Sequence, residues 1–334
     1  MSRLLITGGA GFIGSNFVKR ALMHDASLKI TVIDLLTYAG NLENLSEVQS
    51  RIEFVHGDIR DRNMVRALVK DSDIVVNFAA ESHNDNSLAS PDSFITTNVN
   101  GTFELLEAVR EYKVRFHQVS TDEVFGDLPL GTKDKFHPES PYRPSSPYSA
   151  SKAAADHLVR AWVRSFGIEA TISNCSNNFG PNQYPEKLIP RTALLVAHDI
   201  KPKVYGNGQN IRDWIHVDDH SDGVLSILEK GKSGETYLLG ADAERTNLQV
   251  VQEILRIFGK PASFIEFVED RPGHDLRYAI DASQTISELG WQPRGGTFEE
   301  LLPQVVSSYV AKDSSLSLLA NSGLSVSVTT KITR

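Results

Sequence analysis

The sequence contains one cysteine, Cys175, among its 334 residues. A single thiol excludes a disulfide within the chain and argues against a metal site built from cysteines, so we expect a packed core thiol, a reducing compartment and no bound metal. Long apolar runs are also missing. No segment approaches the roughly 20 apolar residues of a membrane helix, and residues 4–7 are too short an apolar stretch for a signal peptide. These absences predict a cytoplasmic protein with no membrane partner.

Runs of lysine or arginine are absent too, and the formal net charge is -8. An acidic chain without a basic stretch offers nucleic acid no electrostatic attraction, so we expect no such partner. What is present is ordinary: 40% hydrophobic and 23% charged residues, which is typical of a globular protein. The length exceeds the usual size of one hydrophobic core, which predicts two lobes, or one large domain with a smaller one appended.

Short apolar or β-branched runs alternate with segments of helical periodicity through the first half of the chain. This alternation predicts an α/β fold, a Rossmann-type doubly wound parallel sheet with helices on both faces. The second half is less regular, and we expect it to form a smaller, interleaved C-terminal lobe. The predicted strands are residues 4–7, 30–34, 52–55, 74–78, 116–120 and 169–173, and the predicted helices are residues 15–24, 61–70, 93–111, 146–166, 188–197, 224–228 and 248–258.

Three glycines, Gly8, Gly11 and Gly14, recur at every third position between the first strand and the first helix. Glycine is needed where the backbone turns tightly and approaches a pyrophosphate at a helix N-terminus. Asp34 ends the next strand about twenty residues later, where a carboxylate binds the ribose hydroxyls and repels a 2′-phosphate. Because Leu35 and not an arginine follows it, the pattern favours NAD over NADP.

Residues at the ends of the third and fourth strands are further ligand candidates, because ligands of such sheets bind at the carboxyl ends of strands. Asp58 follows the third strand, and residues 78–82 follow the fourth. For Asp58 two interpretations stay open: a contact to the adenine, or a cap for the helix that comes next.

Tyr148 and Lys152 are four residues apart at the start of a predicted helix and therefore share one helical face. A lysine ammonium beside a phenol, together with an oxidised nicotinamide, favours the phenolate and lowers the pKa of the tyrosine. We expect Tyr148 to act as the base that takes a hydroxyl proton. The glycines, Asp34 and this pair together resemble the extended short-chain dehydrogenase/reductase superfamily, over nearly the whole chain up to about residue 312. That superfamily includes epimerases, decarboxylases, reductases and dehydratases, so its fold does not settle the reaction.

The segment Thr121-Asp122-Glu123 discriminates among these reactions. Two adjacent carboxylates in a confined site at the carboxyl end of a strand resist being ionised together, so one can serve as an acid and the other as a base. The alternative interpretation is structural: Asp122 caps the loop at the strand end and Glu123 lies in solvent. The triplet is similar to that of the dTDP-glucose 4,6-dehydratases, in which it carries the elimination. Sugar epimerases typically have neither carboxylate, and the related decarboxylases keep only the second.

Six further blocks resemble motifs of the same family: residues 34–41, 81–83, 177–181, 185–190, 211–214 and 270–275. The resemblance implies two sets of binding residues. The cofactor set for NAD is Gly8, Gly11, Phe12, Ile13, Gly14, Asp34, Leu35, Thr37, Asp58, Ile59, Phe78, Ala79, Ala80, Ser82, Thr97, Tyr148, Lys152 and Asn178. The nucleotide-sugar set is Ser82, Thr121, Asn177, Lys187, Leu188, Lys203, Tyr205, Arg212, Asn247, Arg271 and His274.

The chain departs from the family pattern at a few positions. The usual His-Val-Asp-Arg-Ser is here residues 83–87, with Asn84 in place of valine and Asn86 in place of arginine, and Phe125 replaces a usual tyrosine. The loss of the arginine removes a positive charge near the expected substrate pocket, which leaves the nucleotide and the sugar open.

The resemblance implies that the chain converts dTDP-glucose to dTDP-4-keto-6-deoxyglucose and water. Tyr148 takes the proton of the C4 hydroxyl, Glu123 removes the C5 proton, Asp122 donates to the departing C6 hydroxyl, and Thr121 and Lys152 orient the C4 oxygen and the base. Two alternatives stay open: a UDP-sugar 4,6-dehydratase or 4-epimerase on the same scaffold, and an NAD-binding protein that has lost its chemistry.

The resemblance also implies an organisation. We expect an NAD-binding domain at residues 1–178 with parts of about 211–240, a nucleotide-sugar-binding lobe in the rest of 179–312, and a tail at 313–334 to which we assign no role. Members of the family commonly form homodimers through two helices of each subunit, here residues 93–111 and 146–166.

Overall fold

The computed structural model describes residues 2–270 and 273–311, so Arg271 and the tail at 313–334 lie outside the described residues. The strands, in chain order, are β1 (Arg3–Thr7), β2 (Lys29–Asp34), β3 (Ile52–His56), β4 (Ile74–Asn77), β5 (Arg115–Thr121), β6 (Ala170–Cys175), β7 (Asn177–Phe179), β8 (Lys203–Tyr205), β9 (Ile211–His216), β10 (Thr236–Leu239), β11 (Glu244–Thr246) and β12 (Glu266–Val268). The α-helices are α1 (Phe12–His24), α2 (Arg62–Lys70), α3 (Asn84–Ala89), α4 (Pro91–Phe94), α5 (Thr102–Tyr112), α6 (Pro147–Phe166), α7 (Leu188–Ala197), α8 (Val217–Lys230), α9 (Asn247–Ile257), α10 (Ser283–Leu289) and α11 (Phe298–Ala311).

Seven parallel strands form the main sheet in the order β10-β6-β5-β4-β1-β2-β3. The chain starts in the middle of the sheet, winds outward to β3, and then returns past β1 toward β10. The predicted doubly wound parallel sheet is confirmed. Register brings the strand ends level: Thr7 of β1 pairs with Ile33 of β2 and with Asn77 of β4. The loops that follow these strands therefore open onto one edge of the sheet.

Helices cover both faces of the sheet because successive strand residues point to opposite sides. Leu4 and Ile6 of β1 pack with α1 and α8 in one apolar cluster. Leu5, between them in sequence, packs with α2, α5 and α6 in the other. Both faces of β1 are thus covered by apolar side chains.

The helix predicted at residues 93–111 is interrupted. Helix α4 passes into a π-helical segment, Ile95–Gly101, before α5 begins. The wider turn directs Asn98 inward, where its amide bonds the backbone carbonyl of Glu81 at 3.0 Å and Ser151 Oγ at 2.8 Å. Such π-turns carry no periodicity signal and often occur beside functional sites. Here the turn also holds Thr97, one of the predicted cofactor residues.

The helix predicted at residues 224–228 is longer than expected, since α8 begins at Val217. The first turn of α8 is polar and therefore lacks the apolar periodicity from which helices were predicted. Asp218 and Asp219 suit the positive end of a helix dipole, and His216 Nδ1 caps the start by accepting the Asp218 N–H. Helix α11 was not predicted because Pro303 lies inside it. No helix in residues 2–270 and 273–311 is both long and apolar enough to cross a membrane.

Smaller sheets follow in the second half of the chain. Strands β11, β9 and β7 form one, and β12 pairs with β8. Helices α7, α9 and α11 pack there around Phe179, Trp214 and Phe298. Helix α8 and strand β10 come after β9 in sequence but join the main sheet and its cover. The residue boundaries of the two lobes remain a prediction.

Candidate active site

The glycine loop after β1 has no room for side chains. Gly8 adopts φ +67°, a conformation that favours glycine. A Cβ atom on Gly14 would lie 2.3 Å from the carbonyl oxygen of Gly8, and one on Gly8 would lie 2.6 Å from the backbone nitrogen of Ala79. Helix α1 starts immediately after Gly11 and directs its free N–H groups to this loop. The loop therefore provides a close, positively polarised cradle for a phosphate.

Asp34, at the end of β2, fixes this loop as well as facing the cavity. Its Oδ2 accepts the Ala10 N–H at 2.9 Å, and its Oδ1 accepts the Leu36 N–H at 2.8 Å. Burial raises the pKa of this carboxyl, and the two backbone bonds oppose that effect. Leu36 adopts φ +52°, so the turn is held in a conformation unusual for leucine.

Asp58 does not cap the following helix. Asp61 does so, by accepting the N–H groups of Asn63 and Met64. The capping interpretation of Asp58 is therefore wrong. Asp58 instead accepts the backbone N–H of Arg60 at 2.8 Å and its guanidinium at 2.6 Å, and this pair lines the cavity described next.

A cavity of about 410 Å³ runs along the carboxyl edge of the sheet. Every residue of the predicted cofactor set lines it. These residues are Gly8, Gly11, Phe12, Ile13, Gly14, Asp34, Leu35, Thr37, Asp58, Ile59, Phe78, Ala79, Ala80, Ser82, Thr97, Tyr148, Lys152 and Asn178. Thr121, Asp122 and Glu123 line the same cavity. A long cleft with a phosphate cradle at one end and an acid–base group at the other fits a dinucleotide.

Tyr148 lies in the first turn of α6, where Ser146 caps the helix and Pro147 takes the first helical position. The phenol is buried, and burial raises its pKa well above the usual value, with the nearby charge of Glu123 as the next cause. The lowering of this pKa by Lys152 together with an oxidised nicotinamide stays a prediction. Within the chain a hydrogen bond from Thr121 favours the phenolate, and a cationic nicotinamide beside the ring would favour it further.

Lys152 is buried one turn further along α6, and burial lowers its pKa. Its Nζ donates to the backbone carbonyl of Val119 at 2.8 Å. Asp156, a turn beyond it, opposes the lowering by its charge. The side chain is thus held rigidly against β5, on the same helical face as Tyr148.

Thr121, Asp122 and Glu123 stand where β5 ends and a short 3₁₀ turn, Asp122–Phe125, begins. Thr121 Oγ1 accepts the Glu123 N–H at 3.3 Å and donates to Asp122 Oδ1 at 3.2 Å. Asp122 is only 2% exposed, and burial raises its pKa well above the usual value, reinforced by the charges of Glu123 and Asp213. Burial beside a half-buried glutamate therefore favours the protonated form of the Asp122 carboxyl.

A second cavity, of about 200 Å³, continues from the first and shares Ser82, Glu123 and Asn177 with it. It is lined by most of the predicted substrate set: Ser82, Asn177, Lys187, Leu188, Lys203, Tyr205, Arg212, Asn247 and His274. Thr121 lines only the first cavity, and Arg271 lies outside the described residues. The fold therefore brings most of the predicted substrate-binding residues to one pocket, which meets the first cavity at Glu123.

Two cations of the predicted nucleotide-sugar set are held in place by bonds within the chain. Lys187 Nζ donates to the carbonyl of Ser82 at 2.9 Å. Arg212 is buried, donates to the carbonyl of Asp275 at 3.0 Å, and lies over the Tyr278 ring with its guanidinium carbon 4.2 Å from the ring centre. The hydrogen bond to Asp275 and the contact with the Tyr278 ring fix the plane of the guanidinium, so its other N–H groups point in a fixed direction.

Several residues in and around the two cavities were not predicted from the sequence, and three of them act on predicted site residues. Asn84 donates through Nδ2 to Glu123 Oε2 at 2.8 Å. Asp213, on β9, is a buried carboxyl whose pKa burial raises to about 7. Tyr278 bonds Asp275 and supports Arg212. Asn84 stands out in the sequence as a departure from the family motif, but only the fold brings it to Glu123.

The chain is similar to known proteins over most of its length. The family model described as GDP-mannose 4,6 dehydratase matches residues 5–305. The chain is 55% identical to the dTDP-glucose 4,6-dehydratase of Mycolicibacterium smegmatis, across 93% of this chain and 94% of that protein. The solved dTDP-glucose 4,6-dehydratase of Streptomyces venezuelae, with NAD bound, is 42% identical at a TM-score of 0.89, across 92% of this chain and 97% of that one. A UDP-glucose 4-epimerase of Thermus thermophilus, in complex with NAD, is 28% identical at a TM-score of 0.84, across 92% and 99% of the two chains.

The doubly wound sheet, the glycine loop and the Tyr148–Lys152 pair are those of an extended short-chain dehydrogenase/reductase. Within this superfamily, the two carboxyl groups at the end of β5 and the sequence identity to the relatives above indicate one family. The chain belongs to the dTDP-glucose 4,6-dehydratase family.

Proposed function

We propose that the chain converts dTDP-glucose to dTDP-4-keto-6-deoxyglucose and water. The observation that carries the proposal is the pair at the end of β5. Asp122 is buried with a raised pKa, while Glu123 lies at the junction of the two cavities. An elimination needs an acid for the leaving hydroxyl and a base for the neighbouring carbon, and this pair supplies both within one turn of chain.

The long cavity fits NAD, because the tight glycine loop and the N-terminus of α1 line one end of it, and the carboxylate of Asp34 favours a ribose without a 2′-phosphate. When bound there, NAD supplies the acceptor for the hydrogen that leaves C4 and returns it at C6. The residues of the chain handle the protons.

In the first step Tyr148 takes the proton of the C4 hydroxyl while C4 is oxidised to a ketone. Lys152 holds the face of α6 against β5, and Thr121 contributes a hydrogen bond to the phenol. That bond favours the phenolate and fixes where the C4 oxygen lies.

In the second step the C4 ketone acidifies the C5 hydrogen, and Glu123 removes it. Asp122 donates its proton to the C6 hydroxyl, and the C6–O bond breaks with loss of water. The low exposure of Asp122 keeps its proton in place until the leaving group accepts it. Glu123 then returns a proton to C5 as the C5–C6 double bond is reduced.

The proton balance of these steps leaves Tyr148 with one extra proton and Asp122 with one too few. Thr121 lies between them, since its hydroxyl is 3.2 Å from Asp122 Oδ1 and also bonds the Tyr148 phenol. It donates to the phenolate in the first step. Once the phenol carries its proton, the Thr121 oxygen accepts from the phenol and its hydrogen turns to the Asp122 carboxylate. A phenol-to-hydroxyl-to-carboxylate transfer through Thr121 restores both groups for the next turnover. This gives Thr121 a proton-relay role as well as an orienting one.

Product analysis tests the proposal. Purified protein is incubated separately with dTDP-glucose, UDP-glucose and CDP-glucose, and the products are identified by mass. We expect loss of one water from dTDP-glucose in strong preference to the other two. A product of unchanged mass with inverted C4 indicates an epimerase, water loss chiefly from UDP-glucose indicates a UDP-sugar dehydratase, and no turnover of any of them indicates a protein without this chemistry.

We also propose a homodimer formed through α5 and α6, in the cytoplasm. Support comes from the outer face of these helices, where Trp162 packs edge-on against Phe103 and Phe166, and Phe166 remains 49% exposed. The free thiol of Cys175 suits a reducing compartment. Light scattering after gel filtration is expected to give a dimer, and Phe166→Glu is expected to weaken it. Phe267→Glu, at an exposed phenylalanine on β12, is the control. A monomeric wild-type protein contradicts the proposed dimer.

A further inference from the structure

Asn84, the first residue of α3, connects two parts of the site that are remote in sequence. Its Nδ2 donates to Glu123 Oε2 at 2.8 Å, and its Oδ1 accepts from Ser146 Oγ at 2.9 Å. A carboxylate only accepts hydrogen bonds, so the amide nitrogen must face Glu123 and the amide oxygen must face the serine. Both ends of the amide therefore have one assigned partner, and the orientation of the side chain is fixed.

Ser146 in turn fixes the helix that carries the phenol. It is the N-cap of α6, and its Oγ accepts the Ser149 N–H at 3.1 Å. Tyr148 lies two residues after this cap. The Asn84 amide thus links the carboxylate of Glu123 to the start of the helix that positions Tyr148.

We propose that Asn84 is a positioning residue that orients the Glu123 carboxylate toward C5 of the sugar, an inference that rests on the proposed function. The last torsion of a glutamate side chain is broad, so a half-buried glutamate does not by itself hold its carboxylate plane. A bond from a fixed amide to Oε2 selects one plane and leaves the other oxygen to take the C5 proton. Small misplacements of a base reduce the rate of proton transfer strongly.

The amide is a departure from the motif that the chain resembles, which has valine at this position. Valine cannot donate a hydrogen bond, so Asn84→Val removes the link to Glu123 and to Ser146 and keeps a residue that the surrounding fold accepts. The loss of one hydrogen bond to a base corresponds to about a fivefold decrease in the rate of the step that it supports.

The test compares wild type, Asn84→Val and Asn86→Val on dTDP-glucose and on the same sugar deuterated at C5. Asn86→Val removes an exposed amide from the same helix, two residues away and on a different face, and serves as the matched control. Melting temperature is recorded for all three proteins, so a folding defect is visible separately.

For Asn84→Val we expect kcat to fall about fivefold with little change in KM, and the C5 deuterium isotope effect on kcat to increase. Acid-quenched samples should contain more of the 4-keto sugar that has not yet lost water. Asn86→Val should keep the wild-type isotope effect. A purely structural role of Asn84 would slow C4 oxidation and elimination together and leave the isotope effect unchanged.

Besides that outcome, three further results overturn the inference. One is an unchanged kcat and isotope effect in Asn84→Val, and another is a rise in KM alone, which makes Asn84 a substrate contact. The third is a wild-type protein that removes no water from dTDP-glucose, which overturns the proposed function as well. The first two leave the proposed function intact, because wild type still forms the dehydrated product.

Discussion

Lys152 Nζ donates a hydrogen bond to the backbone carbonyl oxygen of Val119, 2.8 Å away. Val119 lies in β5 two residues before Thr121, so this bond ties the helix of the phenol to the strand of the carboxyl pair. Burial lowers the pKa of the lysine and raises that of Tyr148. Lys152 therefore acts in the chain first as a fixed link between the two halves of the catalytic group.

Tyr148→Phe should stop the reaction at its start. The variant keeps the aromatic packing against Phe94 but cannot take the C4 proton, so we expect the rate to fall by about 10²-fold or more. Quenched samples should contain neither the 4-keto sugar nor the dehydrated product. Tyr112→Phe, at the end of α5, is the control and should retain wild-type turnover. Appreciable 4-keto sugar from Tyr148→Phe would assign the base to another residue.

Asp34→Asn should weaken NAD binding. The carboxylate accepts backbone N–H groups from Ala10 and Leu36 through its two oxygens, and an amide presents an N–H group to one of them. We expect the dissociation constant of NAD to rise about tenfold or more, measured by calorimetry on cofactor-free protein. Asp73→Asn is the matched control, because Asp73 also accepts a backbone N–H, from Arg3 at 2.8 Å, in the loop just before β4. Equal NAD affinity in Asp34→Asn and wild type would exclude this role.

His117 and His220 should make stability depend on pH. Both imidazoles are fully buried, and burial lowers the pKa of each to about 3. In the unfolded chain they take up protons below about pH 6.5, whereas the folded protein does not until about pH 3. Their contribution is therefore complete above pH 6.5 and is lost as the pH falls toward 3, by about 1.4 kcal/mol per pH unit for each residue.

Urea unfolding at several pH values between 7 and 5 measures this slope. His220→Gln should flatten it, because one of the two titrating groups is gone. A free energy of unfolding that changes equally with pH in wild type and in the variant would show that His220 does not titrate between the two states.

Much of this architecture was predictable from local sequence. Helix α7 matches residues 188–197 because its apolar period is bounded by loop residues on both sides. The start of α6 follows from Ser146 and Pro147, which are cap and first-turn residues. The cofactor set was predictable because glycines and strand ends recur at fixed spacings in a parallel sheet.

The electrostatics and the long-range contacts were not predictable in this way. The pKa of Tyr148 depends on burial and on Glu123, which lies on a different element. The bond from Asn84 to Glu123 spans 39 residues of chain and depends on where α3 packs. The charge of Asp213, on β9, raises the pKa of Asp122, which follows β5, although the two residues are remote in sequence. Sequence spacing carries no information on such contacts.

The central claim is a division of labour, in which Tyr148 serves the oxidation at C4 and the Asp122–Glu123 pair serves the elimination. The double variant Asp122→Asn, Glu123→Gln separates the two steps, because it removes the acid and the base while keeping the shapes of both side chains. Asp134→Asn, Glu139→Gln, at two exposed carboxylates, controls for the change in charge.

The most direct measurement is an acid-quenched time course of the double variant with dTDP-glucose, with the sugar species identified by mass. The account predicts that the 4-keto sugar forms and persists, while the 4-keto-6-deoxy product forms at least about 10²-fold more slowly than in wild type. Unimpaired formation of the 4-keto-6-deoxy product by this variant would contradict the account.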